Sequence, residues 1–181
     1  KIPRLGETEI AEALGRLYPE KSESDIHNAS RISEGSLLNA RKILNDSAEQ
    51  RQNYDRFVEI MRLEWRVGNN KDHASLKTLK SWADEMASAD VGRERQKHFL
   101  AYSQNMVREN YIYNLKHPEL NYMTDYETNF STNFSPFINE MNVEEIVAEF
   151  SMAERHIEQN VNAKMVFFDL VLKIIMLLKR K

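Results

Sequence analysis

The chain has 181 residues, of which 41% are hydrophobic and 29% charged, and its net charge is −3. These values suit one globular domain, or a small module joined to a larger one, and argue against global disorder. With no cysteine, disulfides, thiolate nucleophiles and cysteine-based zinc sites are excluded, and a reducing cytoplasm is the expected setting. Five glycines and four prolines are too few breakers for the turns of an all-β fold, and the acidic balance argues against a dedicated nucleic-acid surface.

Hydrophobic period divides the chain into helices. In "ETEIAEALGRLYP", Ile10, Leu14 and Leu17 recur at helical spacing until Pro19 stops the run. "SESDIHNASRIS" offers Ser22 or Ser24 as N-cap and a narrow face of Ile26, Ala29 and Ile32. "EGSLLNARKIL" puts Leu37, Ala40 and Leu44 on one side. These three short helices form a predicted module over residues 1–46, followed by the polar stretch "NDSAEQRQ", expected to be an open link.

Longer helices are predicted over 47–181. Phe57, Met61 and Trp65 make a stripe ending near Gly68, and Leu76, Leu79, Ala83 and Met86 follow. A helix of about 25 residues carries Phe99, Tyr102, Met106 and Tyr113 and closes before Pro118. Tyr126, Phe130, Phe134 and Phe137 come next at nearly helical intervals, and then Val143, Val147, Phe150 and Ile157. The last helix is the most apolar, with Asn162, Asp169, Lys173 and Arg180 as a narrow polar stripe. It is too short and too charged to span a membrane, so it is expected to be central or covered by a partner chain. The fold predicted is all-α, without internal repeats.

Candidate chemistry is sparse. No Walker A loop, dinucleotide GxGxxG or H-E-x-x-H is present. The pairs Glu23/His27 and Glu94/His98 stand at i, i+4 and read as surface pairs, since di-iron bundles need Glu-x-x-His with further glutamates. Glu144, Glu145, Glu149, Glu154 and Glu158 read as a solvated face, because catalytic use would require one to be desolvated. The aromatic residues from Tyr111 to Phe137 lack the interleaved cations of a base-stacking surface and read as core. Four N-x-S/T matches, at Asn28, Asn45, Asn129 and Asn133, are taken as coincidental, there being no secretory signal. No catalytic, cofactor or metal residue is assigned.

The segments "RLGETEIAEAL" and "HNASRISEGSLLNARKIL" resemble the three-helix lid of clamp-loader AAA+ proteins, whose pattern is an apolar residue, a short helix, then a-x-G-S-x-R-x-A-L. The segments "SWADEMASADVGRERQKHFLAYSQNMVREN" and "NFSPFINEMNVEEIVAEFSMAERHIEQNVNAKMVFFDLVLKIIMLLK" are similar to the C-terminal collar of the delta-prime subunits of bacterial DNA polymerase III, in a form like those of Bacteroidetes. The resemblance covers essentially the whole chain. It implies a lid over 1–46 and an oligomerisation collar over 47–181, in a subunit that helps a clamp loader place the sliding clamp on primed DNA without hydrolysing ATP itself.

Family members that bind ATP have the sensor 2 arginine three residues after the motif glycine. Here Gly35 is followed by Ser36, Leu37 and Leu38, so an apolar side chain takes that position and the corner is expected to be structural, with no nucleotide bound. The partners implied are the other loader subunits through the collar, with DNA and the sliding clamp reached only through the assembled complex, and no membrane. The family's nucleotide-binding-like domain, zinc ribbon and arginine finger are not in this sequence, whose start at "KIPRLGETEI" suggests a piece of something longer. Phe168, Leu172 and Ile175 of the last helix are the candidate interface or core positions. The competing expectations are a free-standing helical adaptor that binds a partner helix in a groove, and an enzyme using the scattered His and Glu.

Overall fold

The computed structural model describes residues 4–45, 47–70 and 73–180. Among these it is all-helical, with nine α-helices: α1 Glu7–Leu17, α2 Glu23–Ile32, α3 Leu37–Asn45, α4 Ser47–Asn70, α5 His73–Met86, α6 Gly92–Asn114, α7 Asp125–Phe134, α8 Val143–Glu158 and α9 Ala163–Leu177. Short 3-10 turns lie at Pro118–Leu120 and Ser135–Phe137. The chain divides into two compact units, one of residues 1–52 with 122–129 and one of residues 53–121 with 130–181. The 1–46 stretch falls wholly within the first unit. Most of "NDSAEQRQ" is helical, since α4 begins at Ser47, and Asp46 lies outside the described residues.

In the first unit, local chemistry fixes each helix start. Gly6 N–H donates to Glu9 Oε2 at 2.8 Å, and Ser22 Oγ accepts from Asp25 N–H at 3.1 Å, each satisfying a backbone donor that the helix leaves open. The core is small: Ile10, Leu14, Ala29, Ala40 and Leu44, with Tyr18, Ile26, Leu37 and Ile43 packed around it. Leu17, expected on the inner face, is exposed, because α1 ends there and Tyr18 packs against the core in its place. Residues 122–129 join this unit through Arg31, whose Nη2 donates to the Met123 carbonyl and lies 3.6 Å from Asp125 Oδ1.

In the second unit, α6 packs on α8, and α9 packs on both α5 and α8. The core is large and aromatic. The Phe57 ring meets Tyr102, Phe130 and Phe134 edge-on at centroid distances of 6.4, 6.2 and 6.0 Å, an arrangement favoured by the ring quadrupole. Trp82 lies 5.5 Å from Phe99 and 6.0 Å from Phe167. Of the aromatic series from Tyr111 to Phe137, Phe130 and Phe134 are therefore committed to packing.

Several boundaries and registers depart from expectation. α4 runs past Gly68 to Asn70, and Gly68 is instead a contact point, where an added Cβ would lie 3.3 Å from Lys179 Cε and 3.5 Å from the Ile175 carbonyl. Leu76 is exposed while Trp82 turns inward. Phe137 stands outside α7, in the 3-10 turn that Pro136 initiates, and its ring packs on Trp65 at 5.7 Å. α8 buries Ile146, Phe150, Ala153 and Ile157, leaving Val143 and Val147 half-buried.

The exposed carbonyls of helix ends find side-chain donors in this unit. Gln96 donates to Met86 O and Arg93 to Ile157 O, both at 2.8 Å, so the start of α6 caps the ends of α5 and α8. Asn142 Nδ2 donates to Phe137 O at 2.9 Å and to Leu177 O at 3.2 Å, while its Oδ1 accepts from Asn139 N–H at 2.9 Å. Asn139 Nδ2 in turn donates to Arg180 O at 3.0 Å.

The contrast between a small aliphatic core and a large aromatic one predicts unequal stability. Native-state hydrogen exchange should show the amides of α1, α2 and α3 exchanging about tenfold or more faster than those of α6 and α8. Equal protection across both units would mean that they unfold together.

Candidate functional site

Two places carry the residues singled out from the sequence: the corner between α2 and α3 in the first unit, and α9 in the second.

At the corner, Glu34 (φ 53°) and Gly35 (φ 80°) are both left-handed, which ends α2 and turns the chain into α3. Gly35 is required twice over. Its φ disfavours any side chain, and a Cβ there would lie 2.7 Å from Arg4 Cβ and 3.1 Å from the Leu5 carbonyl. The close approach exists because Leu5 N–H donates to Gly35 O at 3.1 Å. Ser36 occupies the N-cap of α3, its Oγ accepting from Asn39 N–H at 3.3 Å, so a hydroxyl already serves one of the open donors that an anion would use. Leu38 is 78% exposed and offers no hydrogen-bond donor to a phosphate. Arg41, one turn on, donates from Nε to Tyr18 Oη at 3.1 Å.

A polar cleft of about 430 Å3 opens elsewhere in the first unit, lined by Asn28, Ile43, Arg51 and Tyr126 among others. The Arg51 guanidinium lies 4.6 Å over the Tyr126 ring. That cation–π contact covers one face of the ring.

α9 is two-sided. Val166, Phe167, Leu170, Val171, Ile174 and Ile175 are buried, whereas Met165, Phe168, Leu172 and Met176 are exposed. The three candidate positions thus separate: Ile175 is 5% exposed and belongs to the core, while Phe168 (36%) and Leu172 (40%) face outward. The polar stripe turns toward its neighbours. Lys173 Nζ lies 2.9 Å from both Glu149 Oε2 and Asp169 Oδ2, and those two hydrogen bonds hold its ammonium above the ordinary lysine range. Arg180 pairs with Glu145, and Asn162 caps the helix, accepting from Lys164 N–H at 3.0 Å.

Several of the remaining polar candidates stand in structural pairs. His27 Nδ1 lies 3.5 Å from Glu7 Oε1, so its partner is on α1 and not Glu23. Glu94 pairs with Lys97 at 2.9 Å. Of the α8 carboxylates, Glu145 and Glu149 engage α9 as above, and Glu154 accepts from Gln104 at 2.7 Å. Among the described residues no three His, Asp or Glu side chains are grouped to hold a metal ion, and no helix is long and apolar enough to cross a membrane.

Sequence reasoning missed three buried carboxylates. Glu127 accepts from Thr124 N–H and Oγ1 at 2.7 and 2.8 Å, and Glu109 pairs with Arg108 at 3.1 Å. Glu64, 1% exposed, differs: its Oε2 meets no donor, and burial raises its pKa well above the ordinary 4.5.

Compared with family models, curated proteins and solved structures, the chain matches none of them.

Two predictions follow from this geometry. Gly35→Ala should lower stability by about 2 kcal/mol or more, combining left-handed strain of roughly 1–2 kcal/mol with the displacement of Arg4. Leu38→Arg, at an exposed site, should stay within about 0.5 kcal/mol of the parent. Thermal melts of both variants check the pair.

Glu64 makes stability depend on pH with a definite sign. The folded pKa is raised, so the native state binds its proton first as pH falls. The stability from this group is fully present below the unfolded value and is lost as pH rises through the folded one. Glu64→Gln, neutral at every pH, should therefore raise stability at pH 8 by about 1–3 kcal/mol, with the gap closing toward pH 5. Urea unfolding across that range measures it.

Proposed function

We propose that this chain is an assembly element, the lid and collar of a delta-prime-like clamp-loader subunit, which contributes to placing a sliding clamp on primed DNA through association with the other loader subunits. The observation that carries the reading is the outer face of α9. Met165, Phe168, Leu172 and Met176 stand exposed on a helix whose opposite face is filled by its own core. Met152 of α8, also exposed, adds a further flexible thioether. Side chains of this kind adapt to a partner surface, and a helical stripe of apolar side chains is what another helix packs against.

The corner supports the same reading. Gly35 and Ser36 hold α2, α3 and the chain at Leu5 together, and Leu38 brings no charge to a phosphate. An element of this kind works by position, holding its neighbours in register.

The test separates core from interface on one helix. Ile175→Glu buries a charge and should abolish folding. Phe168→Glu and Leu172→Glu should keep the parent's circular dichroism but weaken association with clamp-loader subunits, measured by analytical ultracentrifugation, by about 10- to 100-fold, the range for interface residues worth roughly 1–3 kcal/mol. Assembly unchanged in both outward variants would overturn the proposal. Loss of binding to a different helical partner, with no loader subunit bound, would favour the adaptor.

A further inference from the structure

α8 has more apolar surface than its core contacts use. Ile146, Phe150, Ala153 and Ile157 are buried, while Val143 and Val147 stand half-buried beside Ala101, Arg108 and Tyr111 of α6. Between the two helices runs a groove of about 860 Å3. Tyr111 and Glu140 also border a separate depression of about 660 Å3, at which Leu115 and Met141 are exposed. Ala101, Val143, Val147 and the Tyr111 ring give the groove an apolar stretch, with Gln104 and Asn105 beside them.

Its lip is acidic. Glu140 and Glu144 are exposed, and neither forms an ion pair among the described residues. The guanidinium on the opposite wall, Arg108, is already hydrogen-bonded to the buried Glu109 carboxylate at 3.1 Å. Seating an uncharged or acidic partner against this lip would strip water from two carboxylates without return, whereas lysine or arginine would pair with them.

We propose that the α6–α8 groove receives an amphipathic helix of a partner protein, with an apolar stripe bordered by basic side chains. The long walls are side chains of α6 and α8, with Glu140 added from the turn before α8; they offer no strand edge to an extended peptide but do offer the ridges between which a third helix packs. The groove lining on α6 runs from Ala101 to Tyr111, about 15 Å at 1.5 Å per residue, so the occupant is a helix of about three turns. This surface is distinct from the outer face of α9.

The probe is a synthetic helix of about 14 residues, which covers that length with about one turn to spare, with leucine at i, i+3, i+4 and i+7 and lysine on both flanks, labelled for fluorescence anisotropy. A twin has glutamate on the flanks. The full chain should bind the lysine peptide saturably, the twin at least about tenfold more weakly, and the preference should fall with added salt. Glu140→Lys combined with Glu144→Lys, at exposed positions that leave the fold intact by circular dichroism, should reverse the preference, while Leu172→Glu on α9 should leave binding unchanged. Failure of the lysine peptide to saturate, equal binding of both, indifference to the charge reversal, or loss of binding in Leu172→Glu would overturn the proposal.

Discussion

The second unit depends on the inner face of α9. Val166, Phe167, Leu170, Val171, Ile174 and Ile175 project from one helix into the space held by α5 and α8, and each such side chain contributes roughly 1.5–3 kcal/mol when fully buried. The orientation of α9 is held at both ends by polar contacts. Asn162 caps its first turn, and Asn142 and Asn139 accept the task of satisfying carbonyls at its last. Lys173, bonded to Glu149, adds a polar tie between α9 and α8, whose relative rotation the buried face of α9 sets. With that rotation fixed, Phe168 and Leu172 have nowhere to go but outward.

Much of this was legible in the sequence. Every predicted helix exists, because apolar spacing and the few Gly and Pro residues leave no competing period. Register was harder. In α8, the series Val143, Val147, Phe150 and Ile157 and the series Ile146, Phe150, Ala153 and Ile157 share two members and lie on overlapping faces. Periodicity cannot choose between flanks when both are apolar, and both are apolar because one fills the core and the other lines a groove. On α9 the same ambiguity hid the split between Ile175 and its neighbours Phe168 and Leu172. Three positions within two turns look equivalent in composition, and only the packing of α5 and α8 distinguishes them.

Other features escaped for different reasons. The start of α7 carries Thr124 and Glu127 in a capping-box arrangement that its T-D-Y-E sequence announces, a local signal that sequence reading passed over. The contact of Arg31 with Met123 spans most of a hundred positions, and no local pattern points to it. Glu64 stands at i+7 from Phe57 and i+3 from Met61, on the buried stripe of α4, and only its charge spoke against burial. Charge alone does not report burial, since the surrounding helices decide which side of α4 is covered.

At the corner of Gly35 the demands of the backbone and those on the exposed side chain fall on different residues. The left-handed turn and the tight approach of Arg4 and Leu5 demand glycine at this position, and the cap of α3 is served by the Ser36 hydroxyl. Neither demand reaches Leu38, which projects outward beyond both. The fold therefore constrains Gly35 and Ser36 strongly and Leu38 hardly at all. In a corner so built, the side chain at position 38 is free to be set by whatever lies against it, and leucine there suits an apolar neighbour and not a phosphate.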